Sequence, residues 1–188
     1  GSAVAANGSA GMAMLVTQVA TAAAALGWQA ADWIVPRRAR VLGIASGAVA
    51  GLVAITPAAG TIGPGGALLL GALAGVVCFF CATRLKRRLG YDDSLDVFGV
   101  HAVAGIVGAL LTGPFAAHAL GGFGDVEHPM GQLWIQAKGV AFTVVWSAGL
   151  TLGILKLIDV TLGLRVNDEQ EQIGLDLALH DERAYNLS

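Results

Sequence analysis

Residues 41–83 decide the class of this protein, and they read VLGIASGAVAGLVAITPAAGTIGPGGALLLGALAGVVCFFCAT. The stretch contains no charged side chain. A helix crosses the roughly 30 Å hydrocarbon core of a bilayer with about 20 apolar residues, so the stretch is long enough for two crossings. Glycine and proline near position 60 mark the connection between them. The sequence therefore predicts a pair of transmembrane helices here.

The composition of the whole chain agrees with a membrane location. Of its 188 residues, 55% are hydrophobic and 13% are charged, and the mean hydropathy is +0.69. Soluble domains carry about 25% charged residues, so soluble enzymes and disordered tails are excluded. The net charge of −2 gives no overall field that would attract nucleic acid. We predict an all-α integral membrane protein, because the strands of a β-barrel would show alternating hydrophobicity.

Five apolar stretches are long enough to be membrane spans, and they cover residues 12–35, 41–57, 63–83, 97–117 and 134–158. The second is short. Its continuation over residues 56–60 is predicted to be irregular backbone buried among helices, because unpartnered peptide groups are costly in lipid. Small residues on one helix face indicate close packing with neighbouring helices. Glycine recurs in this way at Gly43, Gly47 and Gly51 and again at Gly71 and Gly75.

Lysine and arginine collect on one side of the predicted bundle. Basic clusters follow the first and third spans, at residues 37–40 and 84–88, whereas the connections 60–66 and 116–133 contain neither residue type. Cytoplasmic loops are enriched in Lys and Arg, so the first, third and fifth spans are predicted to run from outside to inside. The polar tail after Arg165 is then cytoplasmic, and the protein is a multi-pass protein of the cell membrane.

His101 is the most informative single residue. It lies on the order of 12 Å from Asp93 along a helix, which places the imidazole near the bilayer centre if Asp93 marks the interface. Ionisable groups at that depth are costly and usually serve a pathway or a proton relay; the alternative is a structural hydrogen bond. Asp92, Asp93 and Asp96 precede the helix and are expected to cap its N-terminus. Asp96 could instead bind buried backbone amides.

Other candidate residues have ordinary explanations. Cys78 and Cys81 have the spacing of redox and zinc sites, but they lie in an apolar span without a second Cys or His pair nearby. Two small core residues are the better interpretation, and the sequence indicates no cofactor, nucleotide or metal site. Tryptophans near span ends usually anchor a helix at the membrane interface, and this is expected for Trp28, Trp33 and Trp134.

Five segments carry motifs. The longest is DDSLDVFGVHAVAGIVG over residues 92–108, and the others are ATAAAALGW at 20–28, GAVAGLVAITPAAG at 47–60, GLRV at 163–166 and GLDLALHDERAYN at 174–186. Together they resemble the signatures of the ammonium transporter family (Amt/Mep/Rh), with residues 92–108 similar to its tenth transmembrane helix. The Phe-Gly-Val-His context resembles the bacterial and plant branch more than the Rhesus branch.

The resemblance implies a particular topology. The family has eleven transmembrane helices, built from two five-helix inverted repeats and a last helix, a recurring transporter plan. This chain is similar to the second half, from the end of helix six through helix eleven. Residues 1–165 are then the transmembrane part, and residues 166–188 are the cytoplasmic C-terminal tail. The pattern around Ser2 and Asn7 also matches the family, so Gly1 and Ser2 are interpreted as native residues and not as a cloning scar.

The resemblance also implies roles for pore residues. His101 matches the second of the family's paired pore histidines, which share a proton. Ser2 matches the hydroxyl of the external site that recruits ammonium, and Thr56 matches a threonine beside the pore. Asp93 resembles an acidic cap near the cytoplasmic mouth, and Asp96 follows it.

In the tail, the resemblance points to regulation. Gly174, Asp176 and Tyr185 belong to the family's conserved C-terminal pattern, whereas residue 181 is Asp where the family usually has Gly. We expect the tail to pack against the cytoplasmic loops near residues 84–93 of its own and a neighbouring subunit. It would also offer a docking surface to a PII-type nitrogen-signalling protein.

The function implied is that of the C-terminal part of an ammonium transporter, which is not an enzyme. A homotrimer in membrane lipid would recruit ammonium outside and conduct ammonia and a proton separately through each subunit's histidine-lined pore. One alternative is an ammonium sensor with the same fold. Others are a non-conducting structural half and a pore for a different small neutral solute such as carbon dioxide.

Overall fold

A computed structural model of the chain describes residues 5–35 and 37–183. All regular structure in these ranges is helical, which confirms the predicted all-α class. The only strand-like pairing there is a single bridge between Ala117 and Gly124. The α-helices are α1 (Gly8–Ile34), α2 (Val41–Ile55), α3 (Pro64–Phe80), α4 (Lys86–Leu89), α5 (Val103–Ala116), α6 (Pro129–Thr161), α7 (Asp168–Ile173) and α8 (Leu175–His180).

Two π-helical segments interrupt this pattern. Cys81–Leu85 joins α3 to α4, and Phe98–Ala102 leads into α5. A π-helical segment carries hydrogen bonds from residue i to residue i+5 and usually reflects one extra residue within an α-helix. Neither segment was predicted, because hydropathy does not distinguish i+4 from i+5 bonding.

Four helical stretches of the described chain are long and apolar enough to cross a membrane: Gly8–Ile34, Pro64–Leu89, Phe98–Ala116 and Pro129–Thr161. They correspond to four of the five predicted spans. The predicted span 41–57 is instead a shorter helix of 15 residues, α2. Residues 56–61 continue from it in turns, with Ala58 and Ala59 buried. The irregular backbone predicted at this point is therefore present.

The core lies between α1, α2 and α3, which contact one another. Glycine brings the backbones together, as predicted. A side chain at Gly71 or Gly75 would collide with the backbone of Ala20 or Ala24 on α1. On α2, a Cβ atom at Gly51 would lie 2.6 Å from the Ala20 carbonyl oxygen. These contacts leave no room for a larger residue.

Trp28 corrects one prediction. Its side chain is buried in the core, and its ring meets Phe79 edge to face with the ring centroids 5.8 Å apart. It therefore packs within the bundle and is not an interfacial anchor. Trp33 and Trp134 are exposed, as an anchor requires.

The chain divides into two compact units, Gly1–Ala141 and Phe142–Ser188, with the boundary inside α6. The second unit contains the short helices α7 and α8. Asn167 caps α7 through a reciprocal pair of hydrogen bonds with Gln170. Arg165 also pairs with Glu171, because its Nη2 atom donates to both carboxylate oxygens at 2.8 and 3.0 Å. Residues 168–180 of the tail therefore form local helical structure.

Candidate functional site

His101 lies within the π-helical segment Phe98–Ala102, immediately before α5. Its side chain is exposed on the surface of the chain. The ring makes no hydrogen bond to any described residue. The role of His101 in a proton pathway therefore stays a prediction, as does the alternative of a structural hydrogen bond. π-Helical insertions occur frequently at functional sites, and here the insertion contains the candidate residue itself.

Close backbone contacts fix the helix on both sides of His101. A Cβ atom at Gly99 would lie 2.8 Å from the Ala82 nitrogen, so the two π-helical segments touch at this point. Further along, Gly108 packs directly against the Ala54 backbone of α2. Because neither glycine can gain a side chain without displacing backbone atoms, the position of the His101 helix is closely defined.

Acidic residues organise the start of the same helix. The Asp93 carboxylate accepts hydrogen bonds from the backbone N–H groups of Val97 and Phe98, at 2.8 and 2.9 Å. This is N-terminal capping of the kind expected for the residue. Asp96 behaves differently, because its carboxylate pairs with Lys86 and not with backbone amides. The distance from Lys86 Nζ to Asp96 Oδ1 is 2.8 Å.

Lys86 thereby connects both acidic residues. Besides the Asp96 carboxylate, its ammonium group donates to the backbone carbonyl of Asp93. Asp96 has a φ of 54°, a left-handed conformation that residues other than glycine adopt at some cost. Its carbonyl accepts the N–H of Val100 at 2.8 Å. The turn that precedes the His101 segment is therefore both strained and held by an ion pair.

Tyr91 lies in the same connection and packs against the segment. Its ring meets Phe98 edge to face at 5.6 Å between centroids. The hydroxyl is buried without a hydrogen-bond partner among the described residues. Burial raises the pKa of Tyr91 above its usual value, and the nearby Asp93 carboxylate acts in the same direction. The side chain is therefore neutral at physiological pH.

The other predicted residues are placed as follows. Thr56 is exposed at the end of α2, where its hydroxyl donates to the Leu52 carbonyl at 2.7 Å. Gly174 joins α7 to α8 with a φ of 97°, and Asp176 lies in the first turn of α8. Ser2 and Tyr185 lie outside the described residues. Among these candidates, the structure brings together Asp93 and Asp96, both at the start of the His101 helix.

Sequence reasoning missed a second ion pair, between Asp32 and Arg40. Asp32 is fully buried near the end of α1, and its Oδ1 atom accepts from Arg40 Nη2 at 2.6 Å and Nε at 3.1 Å. Its other oxygen, like the Trp28 indole nitrogen, is buried without a hydrogen-bond partner in the described chain. An acidic residue within an otherwise apolar span, followed by a basic cluster, was the signal that could have revealed this pair.

One cavity of about 390 Å³ is bordered by Arg40 of this pair and by Lys86 and Asp96 of the other. The rest of its lining consists of Val35, Phe79, Ala82, Thr83 and Arg87. In residues 5–35 and 37–183, no three His, Cys, Asp or Glu side chains come together in a way that could hold a metal ion. The arrangement is thus a charged pocket that Asp96 borders, just before the π-helical segment that carries the exposed His101 side chain.

A polytopic helical membrane protein is the class that this fold defines. A sequence model of the Ammonium Transporter Family matches residues 1–185. The chain is 50% identical to an ammonium transporter of Aquifex aeolicus and 40% identical to one of Bacillus subtilis, in each case over its whole length. The chain belongs to the ammonium transporter family, whose members are transporters and not enzymes.

The fold comparison agrees with this result. A solved structure of a sensor Amt protein superimposes with a TM-score of 0.84 at 28% identity, over 93% of this chain and 43% of that one. The chain covers 44% of the Aquifex protein and 47% of the Bacillus protein. It therefore spans less than half the length of these relatives.

Proposed function

We propose that this chain forms the C-terminal portion of an ammonium transporter. In this proposal, ammonium is recruited outside the cell and deprotonated, and ammonia and the proton then pass separately through a pore lined by His101. The observation that carries the proposal is the exposed His101 ring in a π-helical segment of a chain that matches the family over residues 1–185.

The chemistry follows from the cost of moving an ion through an apolar pore. Burial of a bare ammonium ion is far more costly than burial of neutral ammonia, so deprotonation lowers the barrier to passage. An imidazole can accept and release a proton near neutral pH, which suits His101 to the proton's route. Potassium has no proton to release, so the same pore would select against it.

The remaining roles belong to the same proposal. Ser2 would contribute a hydroxyl to the external recruitment site, and Thr56 would lie beside the pore. The family resemblance and the basic clusters support a homotrimer in the cell membrane with a cytoplasmic tail. That tail, with Gly174, Asp176 and Tyr185, would pack on the cytoplasmic loops and present a surface to a PII-type signalling protein.

A chimera tests the proposal. This chain would replace the matching segment of the Aquifex aeolicus transporter, and methylammonium uptake and ammonium current would be measured in vesicles. We expect transport by the chimera and loss of the proton-coupled current in its His101→Ala variant. His128→Ala is the matched control, because His128 is exposed in the connection before α6 and should leave transport unchanged. Wild-type current and selectivity in the His101 variant would refute the proposed role.

A sensor with the same fold is the second candidate, and the superposition on the sensor Amt protein favours considering it. A sensor would bind ammonium without carrying it across the membrane. Binding of ammonium to the chimera, detected by a change in tryptophan fluorescence, together with no uptake by the same vesicles would favour sensing. Uptake that saturates with substrate concentration would favour transport.

A further inference from the structure

We propose that Lys86 is a positioning residue, which sets the direction of the His101 side chain by clamping the turn before its helix. The structural part of the proposal stands on the contacts of Lys86 alone. Its consequence for transport rests on the proposed function.

The clamp joins two parts of the chain that a seven-residue connection, 90–96, separates in sequence. Lys86 is the first residue of α4, and its ammonium group reaches the Asp96 carboxylate and the Asp93 carbonyl. Asp93 in turn holds the N–H groups of Val97 and Phe98. The Lys86 ammonium group therefore holds both Asp93, whose carboxylate caps the helix, and Asp96, which directly precedes the helix.

The strain at Asp96 shows why a clamp is needed. An aspartate with a φ of 54° is in a conformation that persists when surrounding contacts enforce it. Among the described residues, the Asp96 carboxylate forms its ion pair and hydrogen bond with Lys86. Without this cation, the carboxylates of Asp93 and Asp96 would also lose their shared counter-charge, and like charges in one turn repel. Loss of Lys86 would thus remove the contact that restrains Asp96, and repulsion between the two carboxylates would favour a different conformation of the turn.

The π-helical segment converts such a rearrangement into a rotation of His101. The Phe98 carbonyl accepts from the N–H of Val103, five residues later, while the Phe98 N–H is bound by Asp93. If the turn before Val97 is released, the one residue that the π-helical segment holds in excess can move into the connection 90–96. The segment then adopts ordinary α-helical hydrogen bonds from residue i to residue i+4. One residue corresponds to about 100° around an α-helix, so His101 would turn away from its present direction and Gly99 would leave its contact with the Ala82 backbone.

Amide hydrogen exchange tests the clamp without reference to transport. The 188-residue chain would be reconstituted in lipid nanodiscs as wild type and as Lys86→Met, Lys86→Arg and Arg88→Met variants. Arg88 is the matched control, because it is exposed in the same helix and forms no ion pair with a described residue. We expect the Val97, Phe98 and Val100 amides to exchange about tenfold faster in Lys86→Met. Lys86→Arg should restore most of the protection, and Arg88→Met should match wild type.

A second variant guards against loss of folding. Asp96→Asn keeps a residue that tolerates the left-handed conformation but removes the charge that Lys86 binds. Faster exchange of the same three amides is expected here too. Unchanged protection in both Lys86→Met and Asp96→Asn would overturn the clamp.

Transport by the chimera tests the consequence for His101. In Lys86→Met we expect the maximal uptake rate per inserted copy to fall about tenfold with KM changed less than twofold, because an interaction needed only for conduction is lost. Lys86→Arg should recover the rate. A merely structural residue would lower the number of inserted copies and leave the rate per copy intact, which would overturn the positioning role. A wild-type chimera without transport would instead refute the proposed function, while the exchange data would still decide the clamp.

Discussion

The two ion pairs, Asp32–Arg40 and Lys86–Asp96, differ in burial, and the difference separates a contribution to stability from a role in positioning. Asp32 is 0% exposed and Arg40 is 52% exposed, whereas Lys86 and Asp96 are 27% and 32% exposed. A fully buried carboxylate that loses its partner is left with an uncompensated charge. A pair that water reaches on both sides contributes little to the free energy of unfolding. The first pair therefore stabilises the bundle, and the second mainly defines a local conformation.

The largest effect is expected for Arg40→Met. This change should lower the free energy of unfolding by about 2–3 kcal/mol, below the usual 3–5 for a buried pair because Arg40 is half exposed. The matched control is Arg38→Met, since Arg38 is exposed and forms no ion pair with an acidic residue of the described chain. Unfolding in mixed micelles with increasing SDS would measure both.

Lys86→Met should cost much less in the same titration, because water screens its pair on both sides. An equal loss of stability in the Arg40 and Lys86 variants would contradict the distinction between the two pairs.

The next effect concerns the packing that supports the second pair. Gly99→Ala would insert a methyl group 2.8 Å from the Ala82 nitrogen, and overpacking of this kind costs about 1–3 kcal/mol. Gly105→Ala is the matched control on the same helix, where the nearest atom would be a Val53 methyl at 3.9 Å. That variant should be neutral or more stable by about 0.5–1 kcal/mol, because alanine favours helix over glycine. Thermal unfolding of both variants would decide, and equal stabilities would show that the Gly99 contact is loose.

The parts of this fold that the sequence predicted are those set by hydropathy and spacing. The apolar stretches predicted the long helices. Glycine at every fourth position predicted the close contacts of Gly71 and Gly75. Trp28 was placed wrongly because position near a span end does not reveal which neighbour the ring faces. Its burial depends on Phe79, which is distant in sequence.

The charged contacts were harder to predict. Lys86 lies in a basic cluster with Arg84, Arg87 and Arg88, and the sequence gives no reason to prefer one member. Which of these residues pairs with Asp96 depends on the left-handed conformation of Asp96 and on the π-helical segment. Each of these features is a change in the backbone conformation or hydrogen bonding of one or a few residues. Motif resemblance identified His101, but not the cation that supports its helix.

Salt should separate the two ion pairs by a smaller amount. Raising the ionic strength from 0.1 to 1 M shortens the Debye length from about 10 to about 3 Å. This weakens the Lys86–Asp96 pair, which water reaches on both sides, more than the pair that contains the buried Asp32. The Val97 and Phe98 amides report on the Lys86 pair, and the Arg38 amide, which donates to the Asp32 carbonyl, reports on the other. We expect about twofold faster exchange for the first two amides and no change for Arg38. Equal salt sensitivity would mean that the two pairs are screened alike.

The smallest effect is expected at the end of α8, in the second unit. Asp181 has a φ of 53° and follows the last helical residue, so it occupies the left-handed position where glycine is usual. Asp96 shows the same strain but is held by Lys86, whereas no ion pair to Asp181 is found in the described chain.

Asp181→Gly should relieve the strain, partly offset by the greater freedom of glycine in the unfolded chain. The Glu182 amide, which donates to the Asp176 carbonyl at 3.0 Å, should then exchange about twofold more slowly. Glu182→Gly is the control and should show no such protection at the neighbouring Asp181 amide. Faster exchange in Asp181→Gly would show that the aspartate side chain itself stabilises the turn.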